Sequence, residues 1–227
     1  MITKSKPKNS WFTVLLVIAA VAVWTFNETR PAPKTERESH AQPAGKTAER
    51  PEKSGTYELF RNCTLAEARN NDGDSFLVNL PDGKKTEFRL YFVDTPESAF
   101  KSYAGGDTNH QRIRQQAAEM GGITPQQAVK IGQNAKHFTL ELLASCPFDI
   151  HTRWDSPFND NRFHAVVGVR QEGKSRWLHE LLVEKGFVRI HTKGADLPDG
   201  TPAAKHKAHL RDLESTAKRT QAGAWGL

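Results

Sequence analysis

Cysteine is scarce in this 227-residue chain, with only Cys63 and Cys146 present. Two cysteines and scattered histidines do not supply a cysteine-rich structural zinc site, so zinc is not expected. Apolar side chains are also sparse. Hydrophobic residues make up 37%, below the globular average, which leaves room for one modest core and an appendage. Charge of one sign is scarce once it is located. The formal net charge is +6, but residues 1–55 hold nine Lys/Arg and five Asp/Glu, which leaves only about +2 for the rest. Overall basicity therefore does not establish nucleic-acid binding, and any attraction must come from a local cluster.

A full membrane-length apolar run is lacking as well. Trp11 to Phe26 spans 16 residues, interrupted by Thr13 and Thr25, where a spanning helix needs about 20. Lys4, Lys6 and Lys8 precede it, and a cationic start before an apolar run is an export signal. Ala20-Val21-Ala22 offers a cleavage site, whereas Trp24 and Phe26 suit interfacial anchoring, so residues 1–26 read as an uncleaved membrane anchor or a cleaved leader. Both readings put the remainder outside the cytoplasm, at the cell surface or in the periplasm, or secreted. Residues 27–55 have almost no large apolar side chains and read as a disordered linker, because such a segment cannot offset its ordering entropy. The folded domain is expected over residues 56–227.

Chemistry concentrates in Asn71 to Glu97, N-D-G-D-S-F-L-V-N-L-P-D-G-K-K-T-E-F-R-L-Y-F-V-D-T-P-E. Phe76, Val78 and Leu80 alternate with polar residues, the period of a half-buried strand. Pro81-Asp82-Gly83 marks a turn, and Thr86 to Val93 reads as a second strand. A hairpin brings Asp74 towards Asp94, Thr95 and Glu97, with Arg89 between them. Clustered carboxylates need a cation, a shared proton or an arginine. Oxygen ligands without His or Cys favour calcium or magnesium.

The D-G-D-S and R-L-Y-F-V-D-T-P-E motifs, at this spacing, closely resemble the thermonuclease (micrococcal nuclease) family. The resemblance covers roughly Thr56 to Leu227 and implies an α+β, mostly β fold: a five-stranded OB barrel with about three helices. It implies a calcium-dependent endonuclease that cleaves DNA and RNA, leaving 3′-phosphate ends. Asp74 and Asp94 would bind the ion through carboxylates and Thr95 through its carbonyl. Glu97 would position or deprotonate the attacking water. Arg89 and Arg162 would hold the phosphate. Alignment with the family also places Cys63 and Cys146 where paired strands meet, and an exported chain with two cysteines implies one disulfide between them. The closing A-G-A-W-G-L resembles the family terminus, where a tryptophan closes over the barrel.

The chain departs from the family at three places: Asn161 replaces the glycine that precedes the second arginine, and two further departures follow. Asp160 stands where a phosphate-contacting tyrosine is usual, and Thr192 and Lys193 stand where stacking aromatics follow the F-V-R-I-H segment. The Ser98–Gly122 segment is longer than the corresponding loop; its Lys101, Tyr103, His110, Arg112 and Arg114, like Lys193, either contact substrate or face solvent. Thr124-Pro125 opens a helix to about Ser145, with Thr124 as cap. His179 is expected to make a buried hydrogen bond rather than ligate metal, and His206 and His209 to form a partly solvated pair. The competing reading is a non-catalytic OB module that binds nucleic acid or protein. No obligate protein partner is implied.

Overall fold

Five strands close into a barrel because each carries an inward apolar row. The computed structural model describes residues 51–156, 160–171 and 173–227, so the leader and most of the linker lie outside the described residues. No helix among the described residues is long and apolar enough to cross a membrane. The strands are β1 (Glu52–Ser54), β2 (Tyr57–Leu65), β3 (Ser75–Asn79), β4 (Lys85–Leu90), β5 (Val93–Asp94), β6 (Phe148–Thr152), β7 (Arg162–Gln171), β8 (Lys174–Trp177) and β9 (Arg189–Ile190). The barrel order is β2-β3-β4-β7-β6, closed by pairing of β6 with β2. Only β4 and β7 run parallel within it. Phe76, Val78, Phe88, Leu90, Phe148, Ile150 and Val167 fill the interior, each contributing about 1.5–3 kcal/mol of burial. The expected alternation of Phe76, Val78 and Leu80 is therefore the core face of the β3–β4 hairpin.

Four helices accompany the barrel among the described residues: α1 (His110–Glu119), α2 (Pro125–Ser145), α3 (Leu178–Glu184) and α4 (Ala203–Arg219). Thr124 caps α2 as expected, in a reciprocal box with Gln127 and with Pro125 at its first turn. α1 lies in the elongated segment and adds to the three helices that the resemblance implies. It is not a solvent loop. Ile113, Ala117 and Met120 pack with Ile123, Ala128 and Ile131 in a second apolar cluster between α1 and α2. Trp225 packs on that cluster rather than over the barrel, contrary to the expectation for the terminal tryptophan.

Two further expectations are corrected. Ordered pairing starts at Glu52, inside the stretch read as linker, because Gly55 at φ +63° lets Glu52–Ser54 fold back onto Tyr57–Leu59. The Cys63–Cys146 disulfide is absent; both are free thiols. Cys63 sits opposite Phe148, buried, with its Sγ 3.4 Å from the Phe60 carbonyl oxygen. Cys146 ends α2 two residues before that pairing position, with its Sγ towards the Ser145 hydroxyl and the Arg170 carbonyl oxygen. Burial pushes the Cys63 thiol up to about 12, so it is inert as a nucleophile. Mass spectrometry after alkylation in denaturant should count two free thiols per chain, and reductant should leave the melting temperature unchanged. A pair of cysteines that escapes alkylation until reduced would refute this arrangement.

Candidate active site

The D-G-D turn leads into β3 and is fixed from three sides. The Asn71 side chain donates to the Ala66 carbonyl at 2.8 Å and accepts from Leu77 N–H at 2.9 Å. Thr139 on α2 donates to the Gly73 carbonyl at 2.9 Å. A Cβ at Gly73 would fall 2.8 Å from Thr95 Cγ2 and 3.0 Å from the Ala135 backbone, so only glycine lets the turn close against both. Gly132 serves the opposite side. A Cβ there would fall 2.4 Å from the Pro96 carbonyl oxygen and 2.6 Å from that of Glu97. α2 thus presses directly on the Thr95-Pro96-Glu97 backbone and sets the position of Glu97.

These elements surround a cleft of about 350 Å³ lined by Asp72, Asp74, Arg89, Thr95, Glu97 and Arg162, with Lys101, Arg112 and Asp160 at its walls. Arg89, on β4, places Nη2 3.6 Å from Asp74 Oδ2 and 3.7 Å from Asp94 Oδ1. Its Nε–H is enclosed and has no partner among the described residues. Burial raises the Asp74 carboxyl to about 6; Asp94 and Asp72 push the same way, while Arg89 opposes them. An under-neutralised buried carboxylate beside an unused guanidinium donor is a poor arrangement for stability alone.

Asp94 has a different environment. Arg189 on β9 forks onto its Oδ2 at 2.8 and 2.9 Å, and Gln116 Nε2 adds a bond at 3.0 Å. Arg112 Nη2 reaches Oδ1 at 2.8 Å, while its Nε reaches Glu97 Oε1 at 3.0 Å. Asn109 holds Glu97 Oε2 at 3.3 Å, and Gln116 Oε1 accepts the Glu97 N–H at 3.1 Å. Asp94 lines not the first cleft but a neighbouring one of about 340 Å³, with Arg89, Arg112, His164, Arg189, His191, Thr192 and Lys193.

The donor set fits a hard divalent cation on the Asp74 side, where carboxylates outnumber their partners. On the Asp94 side both oxygens are already bonded. Arg112, which holds Oδ1, is itself half-exposed. Thr95 lies on the first cleft as expected, with its carbonyl accepting from Gln116 Nε2 at 3.0 Å.

The remaining expected residues divide. Arg162 lines the first cleft at the start of β7, but its fork is engaged by Asp160, through Nε at 2.8 Å and through Nη2. Asn161 supports this turn at φ +61°, a conformation that asparagine tolerates. Lys101 Nζ lies 3.8 Å from Glu97 at the cleft wall. Tyr103 is half exposed, in a turn with Asp107, and lines neither cleft. Lys193 lines the second cleft, paired with Asp155 at 3.1 Å. Thr192 lines the second cleft, with its hydroxyl donating to the Leu90 and Val93 carbonyls.

Sequence reasoning missed Arg189 and Gln116 and gave Arg112 no specific role. One signal was available. Gln116 interrupts the apolar stripe of Ile113, Ala117 and Met120, and a polar residue in such a stripe needs a buried partner.

Asp74 also gives the site a pH dependence. The folded chain holds its proton more tightly than the unfolded chain, whose aspartate titrates near 4. Its contribution to stability is complete below about pH 4 and is lost as pH rises through 6, by up to roughly 3 kcal/mol. Denaturant titrations in chelator should show Asp74→Asn gaining on wild type by about 1–3 kcal/mol between pH 4 and pH 8. A constant difference across that range contradicts the burial argument.

No protein-family model matches the chain, and no curated protein matches it.

Proposed function

We propose that the first cleft hydrolyses phosphodiester bonds of DNA or RNA with calcium, as the resemblance to the thermonucleases implies, and that the barrel is of the OB type. The observation that supports this best is one cleft lined by Asp74, Thr95 and Glu97 together with Arg89 and Arg162. Forked guanidiniums suit phosphate oxygens, and an incompletely neutralised acidic wall suits a cation.

Asp74 and the Thr95 carbonyl would hold the cation, with Asp94 added if Arg112 turned away from it. The bound ion supplies charge stabilisation and lowers the pKa of bound water. Glu97 accepts a proton from the attacking water, and Asn109 keeps its carboxylate oriented. Arg89 and Arg162, which line the cleft, meet the charge that grows on the phosphate oxygens. Asp160 must release Arg162 for this, so it competes with substrate for one fork. Exported, the domain would act where calcium is abundant, tethered to a membrane if the leader is retained.

The closed ion pairs of Asp94 and Arg162 favour a second reading, a non-catalytic OB module. The readings part on Arg112→Ala. A nuclease gated by this residue should reach half-maximal cleavage of single-stranded DNA at tenfold or more lower calcium, leaving 3′-phosphate ends. A binding module should shift retention of the same oligonucleotide on the protein, with no new ends formed at any calcium concentration.

A further inference from the structure

A second donor cluster lies on the other side of Phe92, between α3 and α4. One donor atom from each of His179, Glu180 and His206 lies within 4.8 Å of the others. His179 and His206 bring their Nε2 atoms to 2.7 Å. The His206 Nδ1 is 3.9 Å from Glu180 Oε1, and His209 Nε2 approaches the same oxygen at 3.7 Å. Phe92 stacks on His179 and meets His206 edge-on, which fixes both rings. A cleft of about 290 Å³, lined by Glu180, Asp199, His206 and the half-exposed His209, gives access from solvent.

A structural hydrogen bond accounts for only part of this. One N–H between the two rings satisfies the facing nitrogens and leaves the fully buried His179 Nδ1 without a partner among the described residues. Desolvation lowers the basicity of both rings, His179 well below the usual range and His206 to about 4. Neutral imidazoles are metal donors. The Glu180 side chain is only 13% exposed, and the nearest lysine or arginine nitrogen, Arg176 Nε, is 3.9 Å away. A four-donor site with bonds of about 2.0–2.1 Å separates its ligand atoms by about 3.3 Å. One imidazole gives one nitrogen to an ion, so His206 does not face His179 and Glu180 with the same donor; the rings part by roughly half an ångström, and the donor atoms, within 4.8 Å of one another, close by up to about 1.5 Å.

We propose that His179, Glu180, His206 and His209 bind one borderline divalent transition ion, with zinc the best match, as a staple between α3 and α4. Nitrogen donors with a single carboxylate separate this site from the oxygen-lined cleft, which suits harder ions. All four positions are filled from the chain, which is the form of a structural centre. The scattered histidines of the sequence become a set only because α3 and α4 pack together.

The test uses the full chain, stripped with chelator and titrated with cobalt(II) as a spectroscopic stand-in, in millimolar calcium to occupy the oxygen cleft. One equivalent should give the intense visible bands of a four-coordinate ion, and zinc should displace it stoichiometrically. His209→Ala, at a half-exposed position, should keep the fold and weaken zinc binding at least tenfold; Glu180→Gln should do the same. His206→Gln should abolish the bands. No visible bands at one equivalent, or zinc affinity unchanged in both His209→Ala and Glu180→Gln, would overturn the assignment whether or not His206→Gln folds.

Discussion

Glu97→Gln should lower the turnover of single-stranded DNA by about 10²–10⁴-fold at saturating calcium, while KM and the melting temperature change little. The carboxylate touches Arg112, Asn109 and Lys101, and glutamine retains an oxygen that can accept from Arg112 or Asn109. What it cannot do is accept a proton from water. The backbone beneath is held independently, by Gln116 on the Glu97 N–H and by α2 pressed on the adjacent carbonyls at Gly132. A kcat within threefold of wild type would remove Glu97 from the role of base.

Arg189→Ala should cost about 3–5 kcal/mol of folding stability, the largest loss expected from any single surface-to-core ion pair in the domain. Arg189 is 7% exposed in its side chain and forks onto Asp94, while its Nη1 reaches Glu119 at 2.8 Å. It therefore ties β9 both to the site and to the end of α1. Removing it leaves a buried carboxylate whose remaining contacts are Arg112, Gln116 and the longer approach from Arg89. Denaturant melts would read the loss directly, and the double variant Arg189→Ala with Asp94→Asn should recover part of it. A single variant within 1 kcal/mol of wild type would mean that the pair contributes nothing net.

The contrast between Glu97 and Arg189 also marks what the sequence made legible. Asp74, Arg89, Thr95 and Glu97 lie on one hairpin and the turn after it, where period-two alternation sets register and register sets proximity. Arg162 is remote in sequence and enters only through the resemblance, and β7 does pair alongside β4. Arg189 lies 95 residues from Asp94, in a segment whose alternation gives no partner. Arg112 lay in view as one basic residue of the elongated Ser98–Gly122 segment, a pattern shared by many solvated surfaces. The missing disulfide has the same origin. Strand proximity was right, but which way each thiol points depends on a two-residue offset between Cys146 and the Cys63–Phe148 pair.

The cleft between Asp74, Glu97 and the two arginines carries the proposed chemistry, and one assay reaches it. Purified full-length protein is incubated with end-labelled single-stranded DNA, with millimolar calcium, then with chelator in excess, then with calcium restored. Cleavage that starts with calcium, stops with chelator and returns with calcium is the predicted result. Intact oligonucleotide under all three conditions, from neutral to alkaline pH, would contradict it.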